Sequence, residues 1–215
     1  MKLHLGCGQV YLEGYVNIDY PLSEHTVQAK SVADEFADLT DMRYEPGSID
    51  EVRLHHVFEH FPRPQAIALI ASWHSWLKDG GRLHIEVPDF KASAELALDP
   101  KASDGDRKVA TRHIFGSNEA PWAVHYDGWT EQRLRELAET FGFKVESTEP
   151  SRYLATRNIT IIANKDRPTP SPGELAKIAR DYLVKFTLND SEFETKLLAI
   201  WLKDFKAQLN KTFAR

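Results

Sequence analysis

Cysteine is almost missing from this chain: Cys7 is the only one in 215 residues. No intramolecular disulfide framework can form, and the composition carries no sign of secretion. Long hydrophobic runs are missing too, so no segment reaches the ~20 apolar residues of a membrane-spanning helix. Leu5-Gly6-Cys7 has the outline of a lipoprotein cleavage box, but no apolar signal segment precedes it in the sequence and that reading is set aside. The expected location is cytoplasmic. Positive charge is in deficit: 27 Lys and Arg stand against 32 Asp and Glu, a net charge of −5. With a pI near 6.0, a generally basic nucleic-acid-binding surface is excluded, though a local basic patch is not. What remains is an ordinary globular composition, 42% hydrophobic and 27% charged. The length fits one α/β domain of moderate size, with or without an appendage.

The first twenty residues are the most informative. Leu3 and Leu5 form a short apolar run that stops at Gly6-Cys7-Gly8. A buried strand ending in a glycine turn lets backbone amides approach a ligand with no Cβ in the way. A second run, Tyr15-Val16-Asn17-Ile18, ends in Asp19. A carboxylate there is placed to accept hydrogen bonds from two ribose hydroxyls. A dinucleotide site instead needs G-x-G-x-x-G opening a helix, with the acidic residue about twenty positions on. Here Gln9-Val10-Tyr11 follows Gly8, and Asp19 comes too early. Taken alone, the glycine turn reads equally as a strand-turn-strand without a ligand.

The order of these residues resembles the start of class I S-adenosylmethionine-dependent methyltransferases, in a small-molecule or sugar methyltransferase-like branch. The resemblance implies a Rossmann-like α/β fold, a mostly parallel sheet with an antiparallel last strand, and S-adenosylmethionine as cofactor. Carried onto this chain, Gly6, Cys7 and Gly8 shape the cofactor turn and Asp19 holds the ribose. Asp38 and Leu39, at the end of a third strand expected over residues 31–39, face the adenine, with Asp41 as the rival for Asp38. His55 and His56 lie where cofactor and acceptor meet. Asp50 and Glu59-His60 also stand at matching positions. Two features depart from the family: His4 replaces the usual acidic residue before the first glycine, and the spacer from Gly8 to Asp19 is too short for a full helix.

Further along, Ile49, Val52 and Leu54 predict the fourth strand, after a Pro46-Gly47 turn. Pro64 opens a helix with Ile67, Ile70, Ala71, His74 and Leu77 on one face, stopped by Asp79-Gly80-Gly81. Residues 82–87 alternate as the fifth strand, so the unit is βαβ and favours a parallel sheet. Residues 90–128 read as an insertion forming the substrate side or a lid. It holds a short helix near residues 92–98, a polar turn at 99–106 and a group of aromatic and imidazole side chains. Thr130 caps a helix with Leu134, Leu137, Ala138 and Phe141 as its stripe, and Gly142 ends it. Residues 143–145 and 158–163 are the last strands. Residues 1–166 thus read as the methyltransferase domain and 171–215 as a helical hairpin beyond a stiff Pro-rich linker. Ser171 with Glu174 and Ser191 with Glu194 form capping boxes. The hairpin's apolar stripe at Phe193, Leu197, Ile200, Trp201, Phe205 and Leu209 favours oligomer formation, with packing on its own domain or docking of a partner as the other options.

His56-Val57-Phe58-Glu59-His60 spells H-x-x-E-H, the string of inverted zinc metallopeptidases. That chemistry needs both histidines on one helix face and a third ligand. Because the string begins at a strand end, His60 is expected to pack at the next helix and hydrogen-bond backbone. Glu86 and Asp89 make no clear ligand cluster, and no metal is expected. Methyl transfer asks mainly for orientation, and an alcohol acceptor also needs a base, for which histidine suits neutral pH. His125 is the first candidate and His56 the second, with His113 and Asp89 behind them. For each imidazole singly, a satisfied structural histidine is the rival. After the fourth strand, Leu54-His55-His56-Val57 lacks the Asn/Asp-Pro-Pro-aromatic turn of amino-methylating nucleic-acid enzymes. The expected function is O-methylation of a small polar acceptor such as a sugar or glycan intermediate. The alternative is a non-catalytic binding or assembly protein of the same fold, working through its helical tail.

Overall fold

In the computed structural model, which describes residues 1–24, 27 and 30–213, seven strands form one sheet. They are β1 (Lys2–Leu5), β2 (Val16–Asp19), β3 (Glu35–Phe36), β4 (Ile49–His55), β5 (Leu77–Pro88), β6 (Phe143–Tyr153) and β7 (Thr156–Lys165). The order is β3-β2-β1-β4-β5-β7-β6. β1 to β5 pair in parallel, and β7 runs antiparallel to both β5 and β6. The helices are α1 (Arg63–Trp76), α2 (Phe90–Leu98), α3 (Asp104–Phe115), α4 (Glu131–Thr140), α5 (Pro172–Leu183) and α6 (Glu192–Thr212). This is the expected Rossmann-like sheet with an antiparallel last strand. No helix among the described residues is long and apolar enough to cross a membrane.

The register explains how the sheet divides its two faces. Ile18, Leu5, Leu54, Ile85 and Ile161 align across five strands and are buried. They share one hydrophobic cluster with Ile67, Ile70 and Trp73 of α1. The adjacent row, one residue back along each parallel strand, is Asn17, His4, Arg53 and His84. Successive residues of a strand point to opposite faces, so this polar row lies on the other side. His4 Nδ1 lies 3.0 Å from Asn17 Oδ1, and Arg53 Nη1 lies 3.3 Å from His84 Nδ1. Burial pulls the His84 imidazole down to about 4, with Arg53 adding to it.

Where the family would place a helix, the link from β1 to β2 is a short loop clamped by one side chain. Asn17 accepts from the Leu12 amide at 2.9 Å and donates to the Leu12 and Tyr15 carbonyls. Three of the loop's backbone groups are thereby satisfied without helical hydrogen bonds.

Several expectations are corrected. The third strand, expected over residues 31–39, is reduced to Glu35–Phe36 at the sheet edge, both exposed. With both of its residues exposed, β3 has no buried face to select a longer ladder. His25, Thr26, Gln28 and Ala29, in the polar stretch before it, lie outside the described residues. α1 ends at Trp76, not at Gly80-Gly81, because Leu77 is extended and pairs with Ile49. The insertion holds a second helix, α3, over residues read partly as a polar turn. Ser103 caps it, yet Ala110 is its one buried residue, so it carries no apolar stripe to read. β6 continues to Tyr153, well past Val145.

The tail is not a detached hairpin. The box of Ser171 and Glu174 closes on α5 as expected. Ser191 also caps α6, but the Glu194 carboxylate accepts from the Leu188 amide instead of completing a second box. Phe193 and Ile200, expected in the apolar stripe, are 72% and 55% exposed. The buried side of α6 is Leu198, Phe205, Gln208, Leu209 and Thr212, and it packs along α1. Of the stripe expected to favour an oligomer, Phe205 and Leu209 are buried in the fold, while Phe193 and Ile200 face outward.

The end of the insertion is pinned by Asp127. Its carboxylate, 5% exposed, accepts from Arg63 Nε at 2.9 Å and from Arg133 Nη1 and Nη2 at 3.0 and 3.1 Å. Burial alone would raise its pKa, but the two guanidiniums outweigh burial and hold it below the ordinary carboxylate range. A depressed folded pKa means the contribution is complete above the unfolded value of about 3.9 and is lost as pH falls through the folded one. Thermal melts of wild type and Asp127→Asn should therefore differ most near neutrality and converge below about pH 4. A gap that widens in acid would overturn this assignment.

Candidate active site

β1 ends at Leu5, and the next residues turn sharply. Gly6 has φ +66° and Gly8 φ +55°, the left-handed region that favours glycine. A Cβ on Gly6 would fall 2.3 Å from Val57 Cγ2, whereas one on Gly8 would meet nothing within 4 Å. Packing therefore requires Gly6, while the space beside Gly8 is open to a ligand. Cys7 between them is buried, and its amide donates to the Ile18 carbonyl at 3.0 Å, locking the turn to β2. Burial, with the charge of Asp19, pushes its thiol up to about 11. Cys7 does not itself line the cavity.

That cavity has a volume of about 460 Å³ and lies over Gly6, Gly8, Asp19, Asp38 and Leu39. Asp19 sits at the carboxyl end of β2, 5% exposed, and accepts from the Tyr20 amide at 2.9 Å. Asp38 Oδ1 accepts from the Thr40 amide and hydroxyl at 2.8 and 2.7 Å, which fixes the turn presenting Leu39. Its rival Asp41 is turned away and pairs with Lys211 of α6 at 2.8 Å. Substituting Gly8 by Ala should cost the fold only about 1 kcal/mol of left-handed strain. It should weaken ligand binding at least tenfold by filling the space beside the turn. Melting curves and calorimetry separate the two effects, and unchanged affinity would remove Gly8 from the site.

At its other end the cavity meets His56, His60, Gln65, Trp122 and Tyr126. His56 follows β4 with φ +55°, an uncommon conformation for a residue with a side chain. Its Nδ1 lies 3.5 Å from Glu59 and its Nε2 3.4 Å from Glu86. Burial lowers the imidazole's pKa, but the two carboxylates outweigh it and raise it to about 9. His56 is thus a cation at neutral pH, with both nitrogens turned to carboxylates. His55 points elsewhere: its Nε2 lies 3.0 Å from His84 Nε2, the rings stack, and it does not line the cavity. His60 donates from Nδ1 to the Val124 carbonyl at 3.2 Å, the backbone bond expected of it.

His125 lies one ring deeper, 4.8 Å centroid to centroid behind His60. Its Nδ1 donates to the His113 carbonyl at 3.0 Å, and its Nε2 lies 3.9 Å from Glu59. Burial lowers its pKa despite Glu59. His113 is held by Asn158 and the Arg157 carbonyl, and Asp89 caps α2. The H-x-x-E-H string does not form one helix face, because His56 lies just past the end of β4 with a positive φ, while Glu59 and His60 belong to a 3-10 turn.

A family model described as a methyltransferase domain matches residues 6–148, most of the chain. The chain belongs to the methyltransferase-domain family. No curated protein matches the sequence. Among solved structures, a Methanosarcina mazei S-adenosylmethionine-dependent methyltransferase is similar at 16% identity and TM-score 0.52, over 78% of this chain and 92% of that one. An S-adenosylmethionine-dependent methyltransferase from Mesorhizobium loti gives 14% identity and TM-score 0.50, over 76% and 90%. The Burkholderia thailandensis 1,6-didemethyltoxoflavin-N1-methyltransferase, solved with 1,6-didemethyltoxoflavin and S-adenosylhomocysteine, gives 14% identity and TM-score 0.50, over 77% and 71%. At such identities these likenesses speak for the fold.

The cofactor of this methyltransferase is S-adenosylmethionine, which supplies an activated methyl group on a sulfonium. The residues present fit it: an open glycine turn at Gly8, a buried carboxylate at the end of β2, and a cavity large enough for a nucleoside. Sequence reasoning missed Tyr20, Gln65, Trp122 and Tyr126 as cavity walls. Tyr20 directly follows Asp19 and could have been found from that; Trp122 and Tyr126 could be placed in the insertion but not aimed.

Proposed function

We propose that this methyltransferase acts on a hydroxyl of a small polar acceptor, such as a sugar or glycan intermediate. The observation that carries the proposal is the wall of the cavity to which Tyr20, Trp122 and Tyr126 contribute together with His56 and His60. Aromatic faces pack the apolar face of a sugar ring while polar tips and imidazoles meet its hydroxyls. Asp19 takes the ribose hydroxyls, and Asp38 with Leu39 takes the adenine. Gly6, Cys7 and Gly8 form the turn beneath the cofactor.

The two histidines favoured for the chemistry then divide the work. His56, a cation at the cavity wall, pairs with Glu59 and Glu86. His125 belongs to a basic group with Glu59 and His60, toward which the acceptor hydroxyl loses its proton. His55 acts through Glu86, 3.7 Å away. Orientation supplies most of the acceleration.

Transfer of labelled methyl groups, assayed over a panel of sugars, sugar nucleotides, nucleic acids and proteins, tests this reading. Labelling of hydroxyl compounds is expected. Tyr126→Ala should raise the acceptor KM while leaving S-adenosylhomocysteine affinity near wild type. Transfer to nucleic acid or protein alone would overturn the acceptor class.

A further inference from the structure

Glu59 is anomalous among the buried charges. Its side chain is 1% exposed, and among the described residues neither carboxylate oxygen accepts a hydrogen bond. The nearest groups, His56 Nδ1 at 3.5 Å and His125 Nε2 at 3.9 Å, make ion-pair contacts too long to satisfy it. A buried charge so poorly satisfied is costly.

Glu59, His60 and His125 each present a ligand atom, all within 4.8 Å of one another. Both histidines have Nδ1 committed to a backbone carbonyl, that of Val124 for His60 and that of His113 for His125. A ring that donates from Nδ1 carries its lone pair on Nε2 when neutral. Metal-ligating histidines are oriented in this way, by a carbonyl holding the other ring nitrogen. We propose that Glu59, His60 and His125 form a binding site for a divalent transition-metal ion of the zinc type, open to the cavity beside His60.

Two imidazoles and one carboxylate are a donor set that such an ion accepts, with a fourth position left for water or substrate. Bonds of about 2.0–2.1 Å hold tetrahedral donors about 3.4 Å apart. The three side chains must therefore draw together by roughly 1 Å, within the reach of one carboxyl and two ring torsions. Glu59 and His60 come from the turn after β4 and His125 from the insertion, so the ion ties the insertion to the sheet end. The backbone already joins them there, the Tyr126 amide donating to the Glu59 carbonyl at 2.9 Å. On the reading of this wall as the acceptor side, the acceptor oxygen takes the open position. With the ion bound, the two Nε2 lone pairs are taken and the group no longer acts as the base itself: the acceptor O–H bond breaks with the proton passing to water and the alkoxide staying on the ion.

The test uses the full chain stripped with a chelator and titrated with Co²⁺, then with Zn²⁺. Tetrahedral visible absorption saturating at one Co²⁺ per chain, displaced by Zn²⁺, is expected, together with a higher melting temperature. His125→Ala, and His125→Gln as a milder variant, should each weaken Zn²⁺ binding by about 10- to 100-fold. Circular dichroism and S-adenosylhomocysteine binding report whether each variant is folded. No cobalt spectrum and no Zn²⁺ stabilisation in a wild-type chain that binds S-adenosylhomocysteine would overturn the metal site. So would wild-type Zn²⁺ affinity in a folded His125 variant. Zn²⁺ binding without S-adenosylhomocysteine binding would instead overturn the cofactor assignments and leave the metal site standing.

Discussion

Asp19→Asn should weaken S-adenosylhomocysteine binding roughly 100-fold, a loss of ~3 kcal/mol. The carboxylate ends β2 directly beside the glycine turn, 5% exposed at the cavity wall. There it can accept from both ribose hydroxyls in charge-assisted hydrogen bonds, which are about twice as strong as neutral ones. Asparagine keeps the shape and one acceptor oxygen, so the bond from the Tyr20 amide at 2.9 Å can survive. The amide group on its other arm no longer accepts. The fold should therefore hold while affinity collapses, and calorimetry beside a melting curve reads both. A dissociation constant within about threefold of wild type would remove the ribose role from Asp19.

That Gly6, Gly8 and Asp19 meet at one cavity was legible in the sequence because these parts are local. Gly6, Gly8 and Asp19 lie at the ends of neighbouring strands, so fourteen residues of chain specify one corner of the cavity. Asp38 over Asp41 was not decided there. Both are acidic residues in one turn, and what separates them is Lys211, which draws Asp41 aside from the far end of the chain. The acceptor half depends on chain returning from a distance. His125 could be named as a candidate, but its depth behind His60 follows from how residues 116–126 fold over the turn at Phe58–His60. α3 was missed because helix periodicity reports a buried stripe, and this helix buries only Ala110. His56 was read as a base from its ordinary pKa, whereas Glu86, on the neighbouring strand β5 and thirty residues away in sequence, helps to keep it charged. Side-chain chemistry can be proposed from a sequence, but a protonation state belongs to the assembled surroundings.

The same dependence on distant chain makes Trp76 the residue whose loss should cost most stability. It is fully buried at the end of α1, edge-on to Tyr44 with ring centroids 5.1 Å apart, and its Nε1 donates to the Thr212 carbonyl at 2.9 Å. Trp76→Ala removes that packing and leaves a buried carbonyl without its donor. The expected cost is ~3–5 kcal/mol, or a melting temperature lower by roughly 10 °C for a chain of this size. Close by, the hydroxyls of Ser72 and Thr212 meet at 2.7 Å, so the last turn of α6 is bonded twice to α1. One turn earlier, Gln208 donates to the Thr40 carbonyl at 2.7 Å, and Thr40 lines the cavity beside Leu39. Loosening α6 should thus reach the adenine wall: below its melting transition, Trp76→Ala should bind S-adenosylhomocysteine several-fold more weakly, and Gln208→Ala should reproduce part of that loss with a smaller change in stability. Helix content followed by circular dichroism and the tryptophan fluorescence of the core should melt together in both variants. Two separate transitions, with cofactor affinity unchanged after the first, would show that α6 folds apart from the sheet and does not support the site.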